Sequence, residues 1–592
     1  MSARTPSGAV STRRAQLLAR LLRYGEDHYD HDPSSGGLLL LPITPYRNKH
    51  VEHLPKDALR HPVRESLYYA LILLASGDPP NIERAGKILL RIIAAQEQSD
   101  PASPRHGQWA YFTEEPVSAL RTIDINWADF IGMGLCVAQA RFGHVLSRSV
   151  ADAVRQAIAR AARAIRRRNV DLNYTNIAIK GTFVTLAAAE LTGDTGLLAY
   201  ACDRLSRLRA LIEGQQVLTE YNSPAYAGVN LVGLHAMESI VRHPAARDDA
   251  AALLRRLWLE VADRFHSPTG ELAGPHARAY SASLSRLPGW LGPLIGHVTS
   301  EKFHYETDDA NLFDSIWPLV LEINAPQEAV DALLTETVAP RQVTAATTPW
   351  PGEAARVLTT WAEPAFCLGT VAFQDGWEQH HNLIAYWRAA AGATAYLRHR
   401  YLRDGRPCCS GYFSAMQRRG EVAAGAFLGA FADDHVMTPV EGVVTSFLGA
   451  VLDVDAAGET VRAFLDGEPL RREEGSVPLA VGSVLRVELA AVVFEIELTH
   501  HETAPDPAPP ARVESLSGDR LRVVLPHYEG GRRFVRWLDF MRAASAYRLR
   551  MAAAGKPLSR DLLPDAMFPP RVLPRMELEA WATHWLAHRQ AG

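Results

Sequence analysis

SVADAVRQAIARAARAIRRRNVDLNYTNIAIKGTFVTLAAAELTGD, from Ser149 to Asp194, decides the fold class of this chain. Apolar residues recur at helical spacing on both sides of a short polar break, RNVDLNYTN, so the stretch reads as two helices joined by a tight connection. Working outward, the same texture runs from about Leu59 to Leu334, in VRESLYYALILLASG, ERAGKILLRIIAAQE, FIGMGLCVAQARFG, GLLAYACDRLSRLRALIEG and DAAALLRRLWLEVADRF. Short loops between long helices imply antiparallel hairpins, and a succession of hairpins can close into a ring or continue as a solenoid. No repeat of fixed period is present, which counts against the solenoid.

Beyond about Pro340 the texture changes. Period-two and β-branched runs appear in LGTVAFQ, NLIAYWRAA, EGVVTSFLGAVLDV, SVLRVELAAVVFEIELTHH and DRLRVVLPHYEG, as expected of an antiparallel β domain. The Pro-rich APDPAPPAR reads as a surface connection between two of those strands. The segment RRFVRWLDFMRAASAYRLRM looks helical again, and LPDAMFPPRVLP is too rich in proline to be regular. The expected organisation is an N-terminal helical arm over 1–58, a helical domain over 59–339, a β domain over 340–530 and a mostly helical tail over 531–592.

Bulk properties narrow the function classes. A chain of 592 residues exceeds the size at which one core keeps growing, and 47% hydrophobic with 22% charged residues is ordinary globular composition. The net charge of -4 argues neither for polyanion capture nor for adsorption to a membrane, so an acidic ligand must be met locally. Basic runs such as Arg166 to Arg168 read as a solvated helix face, which speaks against a nucleic-acid role. No stretch approaches the ~18 charge-free apolar residues of a membrane span, and the N-terminus lacks an uninterrupted apolar leader core. Five cysteines without metal-ligand spacing read as reduced thiols, so a cytoplasmic location is expected. No cofactor or metal is expected. His380 and His381 are adjacent, as are Arg398, His399 and Arg400, and neighbours on a strand point to opposite faces.

Four clusters carry candidate chemistry. HGQWAYFTEEP and DINWADF supply Trp109, Tyr111, Asp124, Asn126, Trp127 and Asp129, a mixture that suits a glycan subsite because indole faces stack on sugar rings while amides and carboxylates take hydroxyls. DLNYTNIAIKGTF places Asn173, Tyr174 and Asn176 before an apolar helix with Lys180 one turn on. Thr175 or Asn176 could cap that helix, but two amides and a phenol exceed what a cap needs. LTEYNSPAYAGVNLVGLHAM sets Glu220, Tyr221, Asn222, Ser223 and Tyr226 in a turn-like run, with His235 further along the next helix. GELAGPHARAY presents His276, Arg278 and Tyr280.

On NYTN at Asn173 to Asn176, EYNSPAY at Glu220 to Tyr226, GPHARAY at Gly274 to Tyr280 and the helical-then-β order, the sequence resembles the heparinase II/III-like group of polysaccharide lyases. In this chain the asparagine is followed by tyrosine and threonine, where that group usually has histidine or tryptophan. The resemblance implies an incomplete α/α toroid joined to an antiparallel β-sandwich, with an acidic oligo- or polysaccharide as partner. It also implies an asparagine that neutralises a uronate carboxylate while tyrosine and histidine handle protons. Carried onto this chain, the roles fall to Asn173 for the carboxylate, Tyr226 as base or acid, His276 as its partner and Tyr221 and His235 in support. Trp109, Tyr111, Asn126, Trp127, Tyr174, Asn176, Lys180, Glu220, Asn222, Arg278 and Tyr280 are the expected substrate-binding residues. An unperturbed phenol titrates near ~10, too high for a base at neutral pH, and neighbouring cations bring it into range. The competing readings are a glycoside hydrolase, drawing on Asp124, Asp129 or Glu220, and a glycan-binding protein without catalysis. The oligomeric state stays open, a homo-oligomer included.

Overall fold

The computed structural model describes residues 8–32, 37–43, 54–55, 58–284, 290–305, 307–348, 355–429, 442–470, 475–504, 506–540, 542–560 and 563. The chain forms two compact units, one helical and one antiparallel β. The helical unit comprises Met1–Gly214, Ala225–Leu259 and Leu287–Val330, and the β unit comprises Gln215–Pro224, Glu260–Arg286 and Asp331–Gly592. Two loops inside the expected helical domain, one carrying EYNSP and the other GPHARAY, therefore fold with the β unit.

The helices are α1 (Gly8–Asp27), α2 (Val63–Ser76), α3 (Pro79–Ala94), α4 (Trp127–Phe142), α5 (Arg148–Arg168), α6 (Thr175–Thr192), α7 (Thr195–Glu213), α8 (Tyr226–Ile240), α9 (Pro244–Arg264), α10 (Leu291–Val298), α11 (Trp317–Val320) and α12 (Gln327–Leu334). They form two layers. Helices α2, α4, α6, α8 and α10 pack on one another in that order, while α3 lies outside α2, α5 outside α4 and α6, and α7 outside α6. Composition sorts them. The inner α6 is buried from Thr175 to Ala189 without a break and α8 from Ala227 to Met237, whereas the outer α5 buries only a stripe through Val150, Val154, Ala157, Ile158, Ala161 and Ile165. A helix apolar all round must be enclosed, and a striped one belongs at the surface. Tyr68, Trp290 and Trp317 bring α10 and α11 back to α2, with ring centroids 4.9 to 6.4 Å apart. The result is the incomplete α/α toroid.

The N-terminal segment is not a separate arm. Helix α1 packs on α2 and α11, and Arg14 donates to Leu319 O at 2.9 Å.

The β unit is a sandwich of two antiparallel sheets. One runs Ser476–Pro478, Arg512–Ser517, Arg520–Arg536, Gly442–Asp455, Thr394–Arg403, Leu383–Arg388, Phe366–Val371, Arg356–Glu363 and Arg341–Thr347, with Arg406–Pro407 beside Thr394–Arg403. The other runs Glu468–Pro469, Arg462–Leu465, Val484–Glu488, Val492–Ala504, Arg542–Ala553, Glu421–Leu428, Gly411–Arg418 and Phe373–Asp375. Leu397, Leu452, Leu525, Phe494, Leu549 and Tyr547 meet in the core between them.

The expected helical tail is corrected here. RRFVR ends the strand Arg520–Arg536, a single 3-10 turn covers Trp537–Asp539, and Arg542–Ala553 is a central strand between Val492–Ala504 and Glu421–Leu428. Its alanines, arginines and leucine have high helix propensity, but the alternation decides. Tyr547, Leu549 and Met551 face the core, while Arg548 and Arg550 meet Glu421 at 3.5 and 3.4 Å. Tertiary pairing overrides propensity in such a case. The stretch LPDAMFPPRVLP lies, apart from Leu563, outside the described residues.

Gly228, in the first turn of α8, allows that turn to touch the backbone of Trp290 and Leu291, and a Cβ there would collide with both. Gly228→Ala should lower the stability of the folded chain by about 2–3 kcal/mol, because backbone rather than a flexible side chain must give way. A urea titration that leaves the midpoint unmoved would show that the two helix ends do not meet.

Candidate functional site

The inner helices enter the unit at one shared end. The first turns of α2 and α4 meet where the Arg64 guanidinium lies 5.8 Å from the Trp127 ring. Those of α4 and α6 meet where Asn126 Nδ2 donates to Tyr174 Oη at 3.4 Å. Those of α8 and α10 meet at Gly228. The outer helices α5 and α7 are closed by their own caps, since Ser147 accepts from Val150 N and Asp194 accepts from Leu197 N. Inner helices are not: the N-cap side chains of α4 (Asn126), α6 (Tyr174), α8 (Ala225) and α10 (Trp290) accept no such bond. The first-turn N–H groups of these helices are donors, and the positive ends of the helix dipoles gather at one rim.

The side chains on that rim are polar and aromatic. Asn176 is the second residue of α6 rather than its cap, and it is fully buried, as is Lys180 one turn on. Lys180 Nζ lies 3.2 Å from the Phe130 ring centroid and 5.5 Å from that of Trp290, a cation held between aromatic faces. Asn173 is buried just before α6, its backbone N–H donating to Asp171 Oδ1. Tyr174 and Tyr226 are half-buried at the starts of α6 and α8. Tyr111 donates to Asp124 Oδ2 at 2.6 Å and its ring lies 4.2 Å from that of Trp127. Asn126, Trp127, Asn173, Tyr174, Asn176, Lys180 and Tyr226 accordingly sit on the first turns of neighbouring inner helices or beside them.

Beneath the rim lies Asp129, in the first turn of α4 and 1% exposed. Neither carboxyl oxygen has a hydrogen-bond partner, and the nearest cation, Arg168 Nη1, is 3.7 Å away. Burial pushes its pKa up to about 7, against the opposing pull of Arg168, Lys180 and Arg204. Arg168 spends its own hydrogen bond on Asn126 Oδ1 at 2.8 Å. Sequence reasoning had placed Arg166 to Arg168 together on a solvated face, but Arg168 turns inward. The signal was present: it follows buried Ala164 and Ile165 by four and three residues, on the inner stripe of α5.

The remaining expected residues belong to the β unit, where they clasp two loops together. Arg278 donates through Nη1 to Glu220 Oε1 and through Nε to Gln379 Oε1, both at 2.5 Å, and lies over the Trp377 ring at 4.9 Å. Asn222, held at φ 43°, donates to Ala273 O and Pro275 O at 2.7 and 2.8 Å. Ser223 donates to Arg278 O, and Ala277 N–H donates to Tyr221 O. His276 is 1% exposed with both ring nitrogens engaged. Its Nε2 meets Leu272 O at 2.8 Å, so Nδ1 is left as acceptor for His381 Nδ1–H at 3.0 Å. Burial lowers its pKa to about 4.

Several expectations are corrected by burial. Trp109 is sealed in the core and donates to Ile92 O at 2.8 Å, so it offers no face to a sugar. Tyr221 is fully buried in the sandwich core. His235 is fully buried, takes the Trp258 indole N–H at 3.3 Å and has its pKa lowered to about 3 by desolvation. A neutral imidazole without access to solvent cannot support proton transfer, and the same argument removes His276 as a proton shuttle. Asn222 is a loop bracket. Tyr280 remains exposed. Phe130 and Trp290 join the rim and were not singled out in the sequence, where each reads as one more apolar residue of a helix start.

Residues 46–312 match the family model described as a domain of unknown function, DUF8769. No curated protein matches the chain. Solved structures similar to it include a Paenibacillus xanthan lyase, at 9% identity and a TM-score of 0.44, covering 98% of this chain and 59% of that one. A Streptomyces coelicolor A3 chondroitin AC lyase has 10% identity, a TM-score of 0.42 and coverage of 93% and 80%. A heparinase III has 8% identity, a TM-score of 0.37 and coverage of 91% and 84%. The chain thus spans less than two thirds of the xanthan lyase.

Asp129 makes a pH prediction. Its folded pKa, about 7, lies above the value of an exposed carboxyl, so the folded chain holds this proton more tightly than the unfolded chain. The resulting stability is present in full below about pH 4 and lost as pH rises through about 7. Asp129→Asn should remove that loss, on the order of 2–4 kcal/mol, from urea midpoints compared between pH 5 and pH 8. Parallel pH profiles for the two proteins would contradict the assignment.

Proposed function

We propose that the helical unit is the catalytic body of a glycan lyase that cleaves a uronate-containing chain by β-elimination at the rim of the inner helices. The observation that carries the reading is the uncapped, amide-rich and cationic end of α6, with Asn173, Asn176 and Lys180, on a helix that packs against α8, which Tyr226 opens.

The chemistry asks for what such a rim offers. A proton alpha to the uronate carboxylate leaves as the electron pair moves toward that carboxylate, and the glycosidic oxygen then departs with the bond it held. Charge builds on the carboxylate as an enolate-like dianion. Asn173 at the start of α6 meets that charge, while Asn176 and the Lys180 ammonium, sealed beneath it, act on it through their field; fixed before the reaction, they stabilise it more than the resting acid. Tyr226 is the proton-transfer group in this scheme. Tyr174, half-buried at the start of α6, provides an aromatic face for a flanking sugar ring.

The hydrolase alternative needs two carboxylates across the scissile bond. Asp129 is sealed below the rim, Asp124 accepts from Tyr111 and Glu220 is bound to Arg278, so none of the three is a free member of such a pair. The lyase reading is therefore preferred.

Incubation of the purified chain with a panel of uronate glycans should generate a conjugated, ultraviolet-absorbing product. Tyr226→Phe should cut turnover by about 100-fold or more with folding and glycan binding retained. Asn173→Ala should lower kcat more than it raises KM, since its contact strengthens in the transition state. Wild-type turnover in Tyr226→Phe would end the assignment, and new reducing ends without conjugated product would identify a hydrolase.

A further inference from the structure

Asp129 takes no part in the reaction above, yet it lies under the groups that do. Its carboxyl rests against α6 at Gly181, the residue after Lys180, where a Cβ would stand 2.5 Å from Oδ1. Any larger residue at 181 would displace the acid. Its second oxygen, Oδ2, is 3.7 Å from Arg168 Nη1, which donates to Asn126 Oδ1, and Asn126 Nδ2 in turn donates to Tyr174 Oη. A chain of polar contacts therefore joins the sealed acid to a phenol of the rim.

The charged groups that face Asp129 come from three helices. Arg168 of α5, Lys180 of α6 and Arg204 of α7 all favour its ionised form. None of them donates a hydrogen bond to it. Arg168 is bound to Asn126, Arg204 to Asn169 Oδ1 and Val170 O, and Lys180 lies against the Phe130 and Trp290 rings. Of the nearby acids, Asp171 accepts from Asn173 N–H and Asp124 from Tyr111. Of the two other helices packed on α4, α2 directs Arg64 to Glu65, and α8 is buried from Ala227 to Met237 with a neutral His235 as the titratable group of that stretch.

This arrangement couples the acid to whatever the rim holds. With a proton on Asp129, the three cations have no counter-charge among them, and their field extends to the rim. An ionised Asp129 draws on the same field from below. A uronate carboxylate at the rim and an ionised Asp129 are thus like charges that compete for one set of cations, and each disfavours the other. Linkage makes the effect reciprocal, so a ligand that binds better to the protonated form also promotes protonation. Burial already holds the acid at the edge of neutrality, its pKa pushed up to about 7. Modest repulsion from a ligand is then enough to change its proton occupancy near that pH.

We infer that Asp129 is a positioning residue for the rim: as an acidic sugar binds, a proton passes from the buffer to the Asp129 carboxylate, and the neutral acid leaves the field of Arg168, Lys180 and Arg204 to the substrate. The inference rests on the reading of the rim as a uronate site, and it gives that site a pH dependence. Affinity is highest where Asp129 is protonated and falls as it ionises.

The Tyr226→Phe protein, in which turnover should be lost and binding kept, is titrated calorimetrically with a uronate oligosaccharide. Affinity should fall about five- to tenfold between about pH 5.5 and 8.5, and about 0.4 proton should be taken up per ligand near pH 7, read from two buffers of different ionisation heat. Asp129→Asn in the same background, a neutral side chain of equal size, should bind at the tight level throughout and take up no proton. The same oligosaccharide with its carboxyl groups reduced should show neither effect, a contrast that a merely structural role for Asp129 would not produce. The buffer comparison needs no substitution at Asp129, so it decides the matter even where that variant fails to fold. Binding of the acidic sugar without proton uptake, or a pH dependence that survives Asp129→Asn, would overturn the coupling and leave the reading of the rim standing. No binding of the acidic sugar at any pH would overturn both.

Discussion

Enclosure of the inner helices on every side is the constraint from which the helical unit follows. A helix surrounded by other helices cannot carry polar groups along its length without leaving them unsatisfied, so its hydrogen-bonding and charged residues collect at its ends. Helix α6 shows the consequence. From Phe183 to Ala189 it carries apolar side chains and a single threonine, Thr185, whose hydroxyl turns back onto Gly181 O and Thr182 O. Asn176 and Lys180 lie in its first turns. The neighbouring α4 and α8 likewise open with Asn126 and Tyr226, and because consecutive inner helices run parallel, these groups share one rim. In α6 burial confines most of the chemistry to that end, whereas α8 carries Asn230 and His235 within its length.

The β unit solves a different problem with similar residues. Its loops carry Glu220, Asn222, Ser223, His276 and Arg278, and each is spent mainly on another loop's backbone or side chain. Such a clasp fixes loop backbone that no regular strand would hold.

The helical-then-β order was legible because period and composition speak directly about burial: α6 reads as enclosed and α5 as half-exposed from their residues alone. The strand Arg542–Ala553 was misread, since alanine, arginine and leucine are good helix formers and the alternation of Tyr547, Leu549 and Met551 is short. At the site, residue type identified Asn173, Asn176, Lys180 and Tyr226, but could not separate a phenol at a rim from one in a core. Tyr226 and Tyr221 stand five residues apart in one motif, and only tertiary packing assigns Tyr221 to the sandwich interior. Arg168 was missed because a run of three arginines hides the one whose helical phase points inward.

The central claim is that the rim selects a carboxylate. Calorimetric titration of the Tyr226→Phe protein with a uronate oligosaccharide and with the same oligosaccharide after reduction of its carboxyl groups tests it most directly. The acidic form should bind at least about ten-fold more tightly, a difference of about 1.4 kcal/mol, and Lys180→Met should erase most of that preference. Equal affinity for the two sugars, or a preference that survives intact without Lys180, would contradict the account.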